Sequence, residues 1–248
     1  MTDRILTALP VFNEATHVKS VLQQVLNYAD DVLVVNDGST DGTAAALAEF
    51  EDRVLIESHP ENRGYGAALQ TAFKYAVRYG YDVLVTIDCD GQHQPGLIGE
   101  VASLVNDPGQ PADMVYGSRY LRTFDDNSIA PEDRRRINMQ ITRCLKEKLG
   151  VEITDAFCGF KAYRVSALAD LDITDPGYAM PLQLWIQAAD LDWQISEFAV
   201  PLVYLDEERS FGGSLDDAEV RLAHYRDVLN KELSRRGMKQ RFTADCGQ

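Results

Sequence analysis

The stretch VLVTIDCDGQHQP, residues 83–95, joins five apolar or β-branched residues to a pair of acids. Residues 83–87 are typical of a strand that is buried on both faces. Asp88 and Asp90 follow, and side chains two residues apart on an extended chain point to the same side. Two adjacent carboxylates repel each other unless a proton or a cation neutralises them, and Mg²⁺ and Mn²⁺ prefer such oxygen ligands. The stretch therefore predicts a buried strand, and the acids at its end fit either a metal site or a solvated Asp- and Gly-containing loop.

Short apolar runs alternate with helical periodicity through the first half of the chain. This order predicts an α/β fold with a mostly parallel sheet and helices on both faces. The predicted strands begin at Ile5, Asp31, Arg53, Asp82 and Asp113, and the predicted helices span residues 14–28, 40–50, 64–79 and 95–105. The less regular second half predicts helices over 131–149 and 215–236, a strand from Gln194 and a glycine-containing loop over 206–214.

The charge balance argues against two classes of partner. The 248 residues include 24 basic and 39 acidic side chains, and the net charge of -15 disfavours a nucleic-acid surface and weakens attraction to anionic lipid. No segment approaches the ~18 to 20 continuous apolar residues of a membrane span. We therefore expect a cytoplasmic protein with at most peripheral membrane contact. The four cysteines lack the spacings of zinc sites, which predicts reduced thiols.

Five polar clusters fall at or just beyond the carboxyl ends of predicted strands, where open parallel sheets bind ligands. Asp37 can accept hydrogen bonds from the N–H groups of uracil or guanine, although its turn also suits a helix cap. Gly64 and Gly66 precede a helix whose first N–H groups can meet an anion, although Gly66 equally suits close packing of that helix on the sheet. The clusters are Asn13-Glu14 and residues 36–39, 61–63, 88–90 and 117–119.

Six motifs occur in an order that resembles family 2 glycosyltransferases. They are LPVFNE, VVNDGSTDGT, NRGYGAAL, DCDGQHQP, GSRYL and TDAFCGFKAYR, and they cover roughly residues 4–214. The pattern is most similar to the branch that transfers mannose or glucose to dolichyl or polyprenyl phosphate. The resemblance implies the GT-A fold, which is a Rossmann-like fold of nucleotide-diphospho-sugar transferases. It also implies an inverting hexose transfer that depends on Mg²⁺ or Mn²⁺, from GDP-mannose or UDP-glucose to polyprenyl phosphate or a glycan.

The resemblance predicts how the chain is divided. We expect one catalytic domain over residues 1–214, with a nucleotide-sugar half over 1–120 and an acceptor half over 121–214. An amphipathic helix over 215–236 and a flexible tail over 237–248 follow. The sequence leaves open whether the protein forms a homodimer.

The resemblance also implies roles for individual residues through their places in the motifs. His93 lies beside the implied metal site and is expected to contribute to it. The implied metal ligands are Asp88, Asp90 and Gln92, and the implied nucleotide-sugar residues are Pro10, Asn13, Glu14, Asp37, Asn62, Gly64, Gly66, Asp88 and Arg119. The implied acceptor-phosphate residues are Arg119, Arg134 and Arg209, and the implied catalytic residues are Asp155, Asp90 and Arg209. In the basic run over residues 134–136, two of the three arginines are expected to face solvent.

The acceptor is the least specified part of this prediction. Many lipid-phosphate transferases of the family have a Lys after the serine of the last motif, whereas Leu215 follows Ser214 here. A hydroxyl acceptor would need Asp155 as a general base, whereas a phosphate acceptor is already an anion and needs none. A soluble or glycan hydroxyl acceptor and a non-catalytic nucleotide-sugar binding module therefore remain alternatives. A phosphohydrolase of the haloacid dehalogenase type is disfavoured. In that family the D-x-D-G motif follows the first strand, whereas in this chain it follows the fourth predicted strand.

Overall fold

The computed structural model describes residues 3–125, 127–204 and 212–238. In these residues seven strands form one sheet: β1 (Ile5–Val11), β2 (Asp31–Asn36), β3 (Leu55–Ser58), β4 (Val83–Thr86), β5 (Met114–Ser118), β6 (Lys161–Arg164) and β7 (Ile195–Ala199). Their order across the sheet is β3-β2-β1-β4-β6-β5-β7. All neighbouring pairs are parallel except those of β6, which is antiparallel to both β4 and β5. The mostly parallel sheet predicted from the sequence is confirmed.

The described residues also form α-helices: α1 (Val18–Val25), α2 (Thr43–Ala48), α3 (Tyr65–Arg78), α4 (Ile98–Ser103), α5 (Glu132–Leu149), α6 (Val165–Leu168), α7 (Met180–Asp190) and α8 (Ala218–Arg235). Each of the six predicted helical segments contains one of them. The short α6 and the longer α7 were not predicted. Residues 180–188 of α7 are all buried, and a helix that is buried all round lacks the apolar stripe that marks an amphipathic helix in a sequence.

The antiparallel strand β6 determines what lies beside the end of β4. Because β6 runs against β4 and β5, the loop that leads into it reaches the sheet edge where those two strands have their carboxyl ends. The Thr86 hydroxyl donates a hydrogen bond to the Gly159 carbonyl across this junction at 2.8 Å. The sequence did not predict β6, since its four residues lie inside the motif TDAFCGFKAYR.

Helices cover both faces of the sheet, as predicted, and each face has its own apolar core. Along β2, Leu33 and Val35 belong to one core and Val32 and Val34 to the other, as alternation along a strand requires. One core is built with α3, α5, α7 and α8, and the other with α1, α2 and α4. The helix α8 contributes buried side chains to the first core and is therefore part of the folded body. These side chains are Leu222, Tyr225, Val228, Leu229 and Leu233.

Two expectations about the chain as a whole can be compared with the structure. Among the helices of the described segments, none combines the length and the apolar character needed to cross a membrane. Cys89 and Cys158 are buried free thiols, as predicted. Cys144 is disulfide-bonded, so the prediction of reduced thiols is wrong at that residue. Cys246 lies outside the described residues.

Candidate active site

A cavity of about 790 Å³ opens at the carboxyl ends of the parallel strands, and most of the predicted site residues line it. Two of the others lie elsewhere: Gly66 is packed behind the lining, and Asp155 is buried beneath it. Arg209 lies outside the described residues. The predicted residues that line the cavity are Pro10, Asn13, Glu14, Asp37, Asn62, Gly64, Asp88, Asp90, Gln92, His93, Arg119 and Arg134.

The loop after β1 forms one wall and is held by the loop after β2. Asn13 adopts a left-handed backbone conformation, with φ of 54°, and its side-chain oxygen accepts a hydrogen bond from the Thr40 N–H at 2.8 Å. The Asn13 N–H donates to the Ser39 hydroxyl at 3.0 Å, and the Glu14 N–H donates to the Thr43 hydroxyl at 2.8 Å. Asparagine tolerates positive φ better than most residues, so the motif LPVFNE specifies a bend as well as polar groups.

Asp37 organises a second wall. Its carboxylate is almost wholly buried and accepts hydrogen bonds from the N–H groups of Arg63 at 2.9 Å and Gly64 at 2.7 Å. At Gly38 the backbone is left-handed, with φ of +67°, and a Cβ there would lie 2.2 Å from the Glu61 carbonyl carbon. The turn after β2 is thus closed tightly against the loop before α3, and Asp37 shapes this part of the cavity through backbone contacts.

Gly66 has the packing role that the sequence left open. A Cβ at Gly66 would lie 2.6 Å from the Asp175 carbonyl oxygen and 2.7 Å from the Met180 Cβ. The N–H of Ala67 donates to the Pro176 carbonyl at 3.0 Å. The start of α3 therefore packs directly on the segment that leads into α7, and Gly66 makes that approach sterically feasible.

The acidic pair stands at the end of β4. Asp88 accepts a hydrogen bond from the Tyr65 hydroxyl at 3.0 Å, and its other oxygen lies 3.2 Å from the His93 Nε2. Burial alone would raise the pKa of Asp88, but the hydrogen bond and charge of His93, the charge of Lys161 and the Tyr65 hydroxyl lower it to about 2. Asp88 is therefore ionised at neutral pH, and its two neighbours fix the orientation of the carboxylate.

The chemistry of the pair suits a metal that the substrate helps to hold. Within the described segments, no group of three or more His, Cys, Asp or Glu side chains is arranged to hold a metal ion. Mg²⁺ commonly binds through one or two carboxylates together with substrate phosphates and water. Asp88 and Asp90, with the amide oxygen of Gln92, fit that pattern and all line the cavity. The Asp90 carboxylate is already oriented, because it accepts the Gln92 N–H at 3.0 Å.

Gly159 is expected to be essential for the position of Asp88. A Cβ at residue 159 would lie 2.0 Å from the Asp88 Oδ2, so the Gly159→Ala variant must displace that carboxylate. We expect a loss of metal-dependent nucleotide affinity of at least about tenfold, as for a lost charge-assisted contact. Calorimetry with UDP and GDP in the presence of Mn²⁺ measures this loss.

A matched glycine provides the control for that variant. Gly99 lies in α4, and a Cβ there would have no atom within 4 Å. Gly99→Ala should leave nucleotide affinity unchanged and should not lower stability, because alanine favours a helix by about 1 kcal/mol over glycine. Equal affinities in the Gly159→Ala variant and the wild type would show that Asp88 does not depend on Gly159.

Asp155 forms a buried ion pair with Arg119 below the cavity. Its carboxylate, which has no solvent exposure, accepts the Arg119 Nε–H at 2.7 Å and a terminal N–H at 3.0 Å. Asn138 and the backbone N–H groups of Arg119 and Phe157 add three more hydrogen bonds. Burial alone would raise the pKa of Asp155, but the Arg119 charge and these bonds lower it to about 2. Asp155 thus holds the guanidinium of Arg119, a residue that lines the cavity.

One arginine of the basic run belongs to the cavity. Arg134 lines it, and its guanidinium carbon lies 5.9 Å from the centre of the Tyr204 ring. Arg135 is exposed, and Arg136 pairs with Glu219 at 2.6 Å near the start of α8. Of the three arginines, Arg134 alone is among the residues that line the cavity, and its role there stays a prediction.

Several lining residues were missed by the sequence analysis. Tyr65 lies inside the motif NRGYGAAL, and its ring stacks on that of Tyr178 with centroids 5.6 Å apart. The helix α8 contributes Arg221 and Tyr225 to the lining. These two are one helical turn apart, and the sequence predicted only that an amphipathic helix spans residues 215–236. A basic residue one turn before an aromatic residue of that helix was the available signal for Arg221.

Comparison with known proteins places this site in a family. The family model described as Glycosyl transferase family 2 matches residues 7–172, more than half of the chain. The chain belongs to glycosyl transferase family 2. Among its family 2 relatives, the undecaprenyl-phosphate mannosyltransferase of Micrococcus luteus is 30% identical over 233 residues, covering 90% of this chain and 93% of that protein. The polyprenol monophosphomannose synthase of Mycolicibacterium smegmatis is 30% identical over 239 residues, covering 90% and 87%.

A solved structure agrees with the fold of this family 2 chain. The glucosyl-3-phosphoglycerate synthase of Mycobacterium tuberculosis, crystallised with Mn²⁺, UDP-glucose and phosphoglyceric acid, superimposes with a TM-score of 0.70 at 22% identity. The match covers 95% of this chain and 80% of that one. The predicted GT-A fold is confirmed.

Proposed function

We propose that the protein transfers a hexose, with inversion, from a nucleoside diphosphate sugar to a polyprenyl phosphate, with the help of Mg²⁺ or Mn²⁺. The observation that carries this proposal is the state of Asp155. A carboxylate without solvent exposure that accepts five hydrogen bonds, and whose pKa is about 2, is a poor general base. A phosphate acceptor needs no base, because it is already an anion at neutral pH.

The charges around the cavity support an anionic acceptor. Arg119 and Arg134 both line it, in a chain whose net charge is -15. Guanidinium groups match phosphate oxygens in geometry and remain charged. The names of the relatives agree with this acceptor class, since the Micrococcus luteus protein is named an undecaprenyl-phosphate mannosyltransferase and the Mycolicibacterium smegmatis protein a polyprenol monophosphomannose synthase.

The proposed reaction forms and breaks one bond to the sugar. A phosphate oxygen of the acceptor attacks the anomeric carbon, while the bond from that carbon to the donor's diphosphate oxygen breaks and its electron pair leaves with the nucleoside diphosphate. Attack from the opposite side inverts the configuration, and no proton has to move. Asp88, Asp90 and Gln92 would hold a divalent ion, which would neutralise the charge that grows on the leaving diphosphate. Tyr65 and His93 orient Asp88, and Asp155 orients Arg119 towards the acceptor.

A paired acceptor assay tests this proposal. Each donor (GDP-mannose, UDP-glucose, UDP-galactose and the UDP-N-acetylhexosamines) is incubated with Mn²⁺ and either polyprenyl phosphate or the matching polyprenol. We expect product with the phosphate and none with the alcohol, for at least one donor. Product with the alcohol or with a glycan would identify a hydroxyl acceptor. Nucleotide binding without turnover on any acceptor would indicate a non-catalytic binding module.

Two neighbouring arginines give a matched test of the acceptor site. Arg134→Gln should raise the KM for polyprenyl phosphate about ten- to a hundredfold, as expected when a charge-assisted contact is lost. Arg135→Gln makes the same chemical change one residue away on the exposed side and should leave that KM unchanged. Initial rates at saturating donor measure both values. Equal KM values in the two variants would remove Arg134 from the acceptor site.

A further inference from the structure

His59 has a largely buried side chain that the proposed reaction does not use. It follows β3 directly, and only 7% of its side chain is exposed. Its Nδ1 lies 2.5 Å from the Asp37 Oδ1, and its Nε2 lies 2.9 Å from the Thr71 hydroxyl on α3. Both ring nitrogens are thus engaged between two elements. His59 does not line the cavity, so any effect on substrate must act through a neighbour.

The hydrogen bonds have a defined direction at the Asp37 end. Both Asp37 oxygens accept backbone N–H groups, so this carboxylate acts as an acceptor and the His59 Nδ1 donates the hydrogen between them. The Thr71 hydroxyl lies 2.9 Å from Nε2 at the other end of the ring and 3.1 Å from the Ala67 carbonyl, so its single hydrogen serves one of these two contacts. The imidazole therefore has one orientation, and that orientation fixes the Asp37 side chain.

Asp37 transmits this orientation to the cavity wall. The oxygen that meets His59 also accepts the Arg63 N–H, and the other oxygen accepts the Gly64 N–H. Gly64 itself and Asn62, two residues before it, line the cavity. Gly64 has φ of +101° and lies so close to Pro176 that a Cβ would be 2.4 Å from its carbonyl oxygen. The backbone of this wall depends on the position of Asp37.

We propose that His59 is a positioning residue of the donor site. It holds the Asp37 carboxylate so that residues 62–64 present their backbone and the Asn62 side chain to a nucleoside diphosphate. This inference rests on the proposed function, since it takes a nucleoside diphosphate as the ligand of the cavity. It adds a residue that no motif of the sequence analysis included, and it predicts an effect on the donor alone.

Two amide replacements of His59 separate positioning from general packing. The side-chain amide of Asn can occupy the place of Nδ1, whereas the longer Gln places its amide near the position of Nε2. His59→Gln should raise the dissociation constant of UDP or GDP about ten- to a hundredfold, and His59→Asn should keep it within about threefold. The KM for the acceptor and kcat at saturating donor should change little in either variant. Asp37→Ala provides the upper limit of the effect.

Thr71 offers a second pair of variants for the same chain of contacts. Thr71→Ser keeps the hydroxyl and should bind the nucleotide like the wild type, whereas Thr71→Val removes it and should weaken binding. If His59→Gln does not fold, the two Thr71 variants still test whether the contact with His59 supports nucleotide binding. Melting temperatures of all variants identify any that are unfolded at the assay temperature.

Calorimetry with free UDP and GDP gives the deciding measurements. Wild-type affinity in folded His59→Gln and Thr71→Val variants, or an equal loss in His59→Asn and His59→Gln, would overturn the positioning role. A change in the acceptor KM as large as that for the donor would do the same. A wild-type protein that binds neither nucleotide would overturn the proposed function, and this inference with it.

Discussion

Replacing Asp90 by Asn is expected to remove most transfer while leaving the protein folded. The amide can still accept the Gln92 N–H that the Asp90 carboxylate accepts at 3.0 Å, so the turn survives. The divalent ion, however, loses an anionic ligand. Loss of a residue that only hydrogen-bonds a metal ligand typically lowers metal affinity ~10- to 100-fold. Loss of the ligand charge itself should lower the metal affinity by more than this. Turnover measured as a function of Mn²⁺ concentration, at fixed donor, gives the size of the effect.

Asp107→Asn is a closely matched control for that variant. Asp107 also accepts the N–H of the residue two positions later, Gly109, at 2.7 Å, and it does not line the cavity. The same substitution in the same kind of turn should leave turnover unchanged. Turnover in excess chelator equal to that with Mn²⁺ would show that the reaction needs no divalent ion, whatever the Asp90 variant does.

Asp155→Asn is expected to cost about 3 to 5 kcal/mol of unfolding free energy, because it leaves the Arg119 guanidinium largely buried without its anion. The side chain of Arg119 is only 16% exposed and has its bidentate partner in Asp155. Transfer should fall with the stability, through a raised KM for the acceptor. Urea unfolding and initial rates on the same preparation measure both quantities. Asp113→Asn, at the half-exposed pair with Arg164, should cost about 1 kcal/mol or less.

The pH dependence of stability tests whether Asp155 anchors Arg119 or acts as a general base. Because the pKa of Asp155 is lowered to about 2 in the fold, from an ordinary 3.8, its contribution is fully present above pH 3.8 and is lost as the pH falls towards 2. The Asn variant should lack that part of the acid destabilisation. Asp88, whose pKa is also lowered to about 2, contributes the same loss in both proteins.

A general base at residue 155 would give a different pattern. The Asn variant would then keep its stability and its acceptor KM, while kcat fell by ~10² to 10⁴. That outcome would refute the anchor role and favour a hydroxyl acceptor. The two patterns differ in the free energy of unfolding, in the KM for the acceptor and in the loss of stability at low pH. Three independent measurements therefore distinguish them.

The order of strands and helices in the nucleotide half was predictable because each element there has its own local signal. The apolar residues 83–87 and the acids after them indicated both a strand and its carboxyl end, and the structure places Asp88 and Asp90 at the cavity. Asn13 and Asp37 were found for the same reason, since each lies at or just beyond the carboxyl end of a predicted strand.

The missed features are those with no local signal. The strand β6 is four residues long and depends on pairing with β4 and β5, which are distant in the sequence. Whether Asp155 is a base or an anchor depends on Arg119 and Asn138, and spacing along the chain cannot show that the three meet. His59 was missed because a lone histidine after a strand has no distinguishing pattern until its two partners are known.

The segment that enters β6 also constrains how such an enzyme can diversify. Within five residues it supplies the Asp155 carboxylate that holds Arg119, proposed to bind the acceptor, and the Gly159 backbone that lies against Asp88, proposed to bind the metal. Substitutions in this segment are therefore expected to damage recognition of both substrates together. New acceptor preferences are more accessible through α5 and α8, which reach the cavity through Arg134, Arg221 and Tyr225 and do not supply the residues assigned to the metal. We expect variation in acceptor choice among descendants of this chain to accumulate on those two helices.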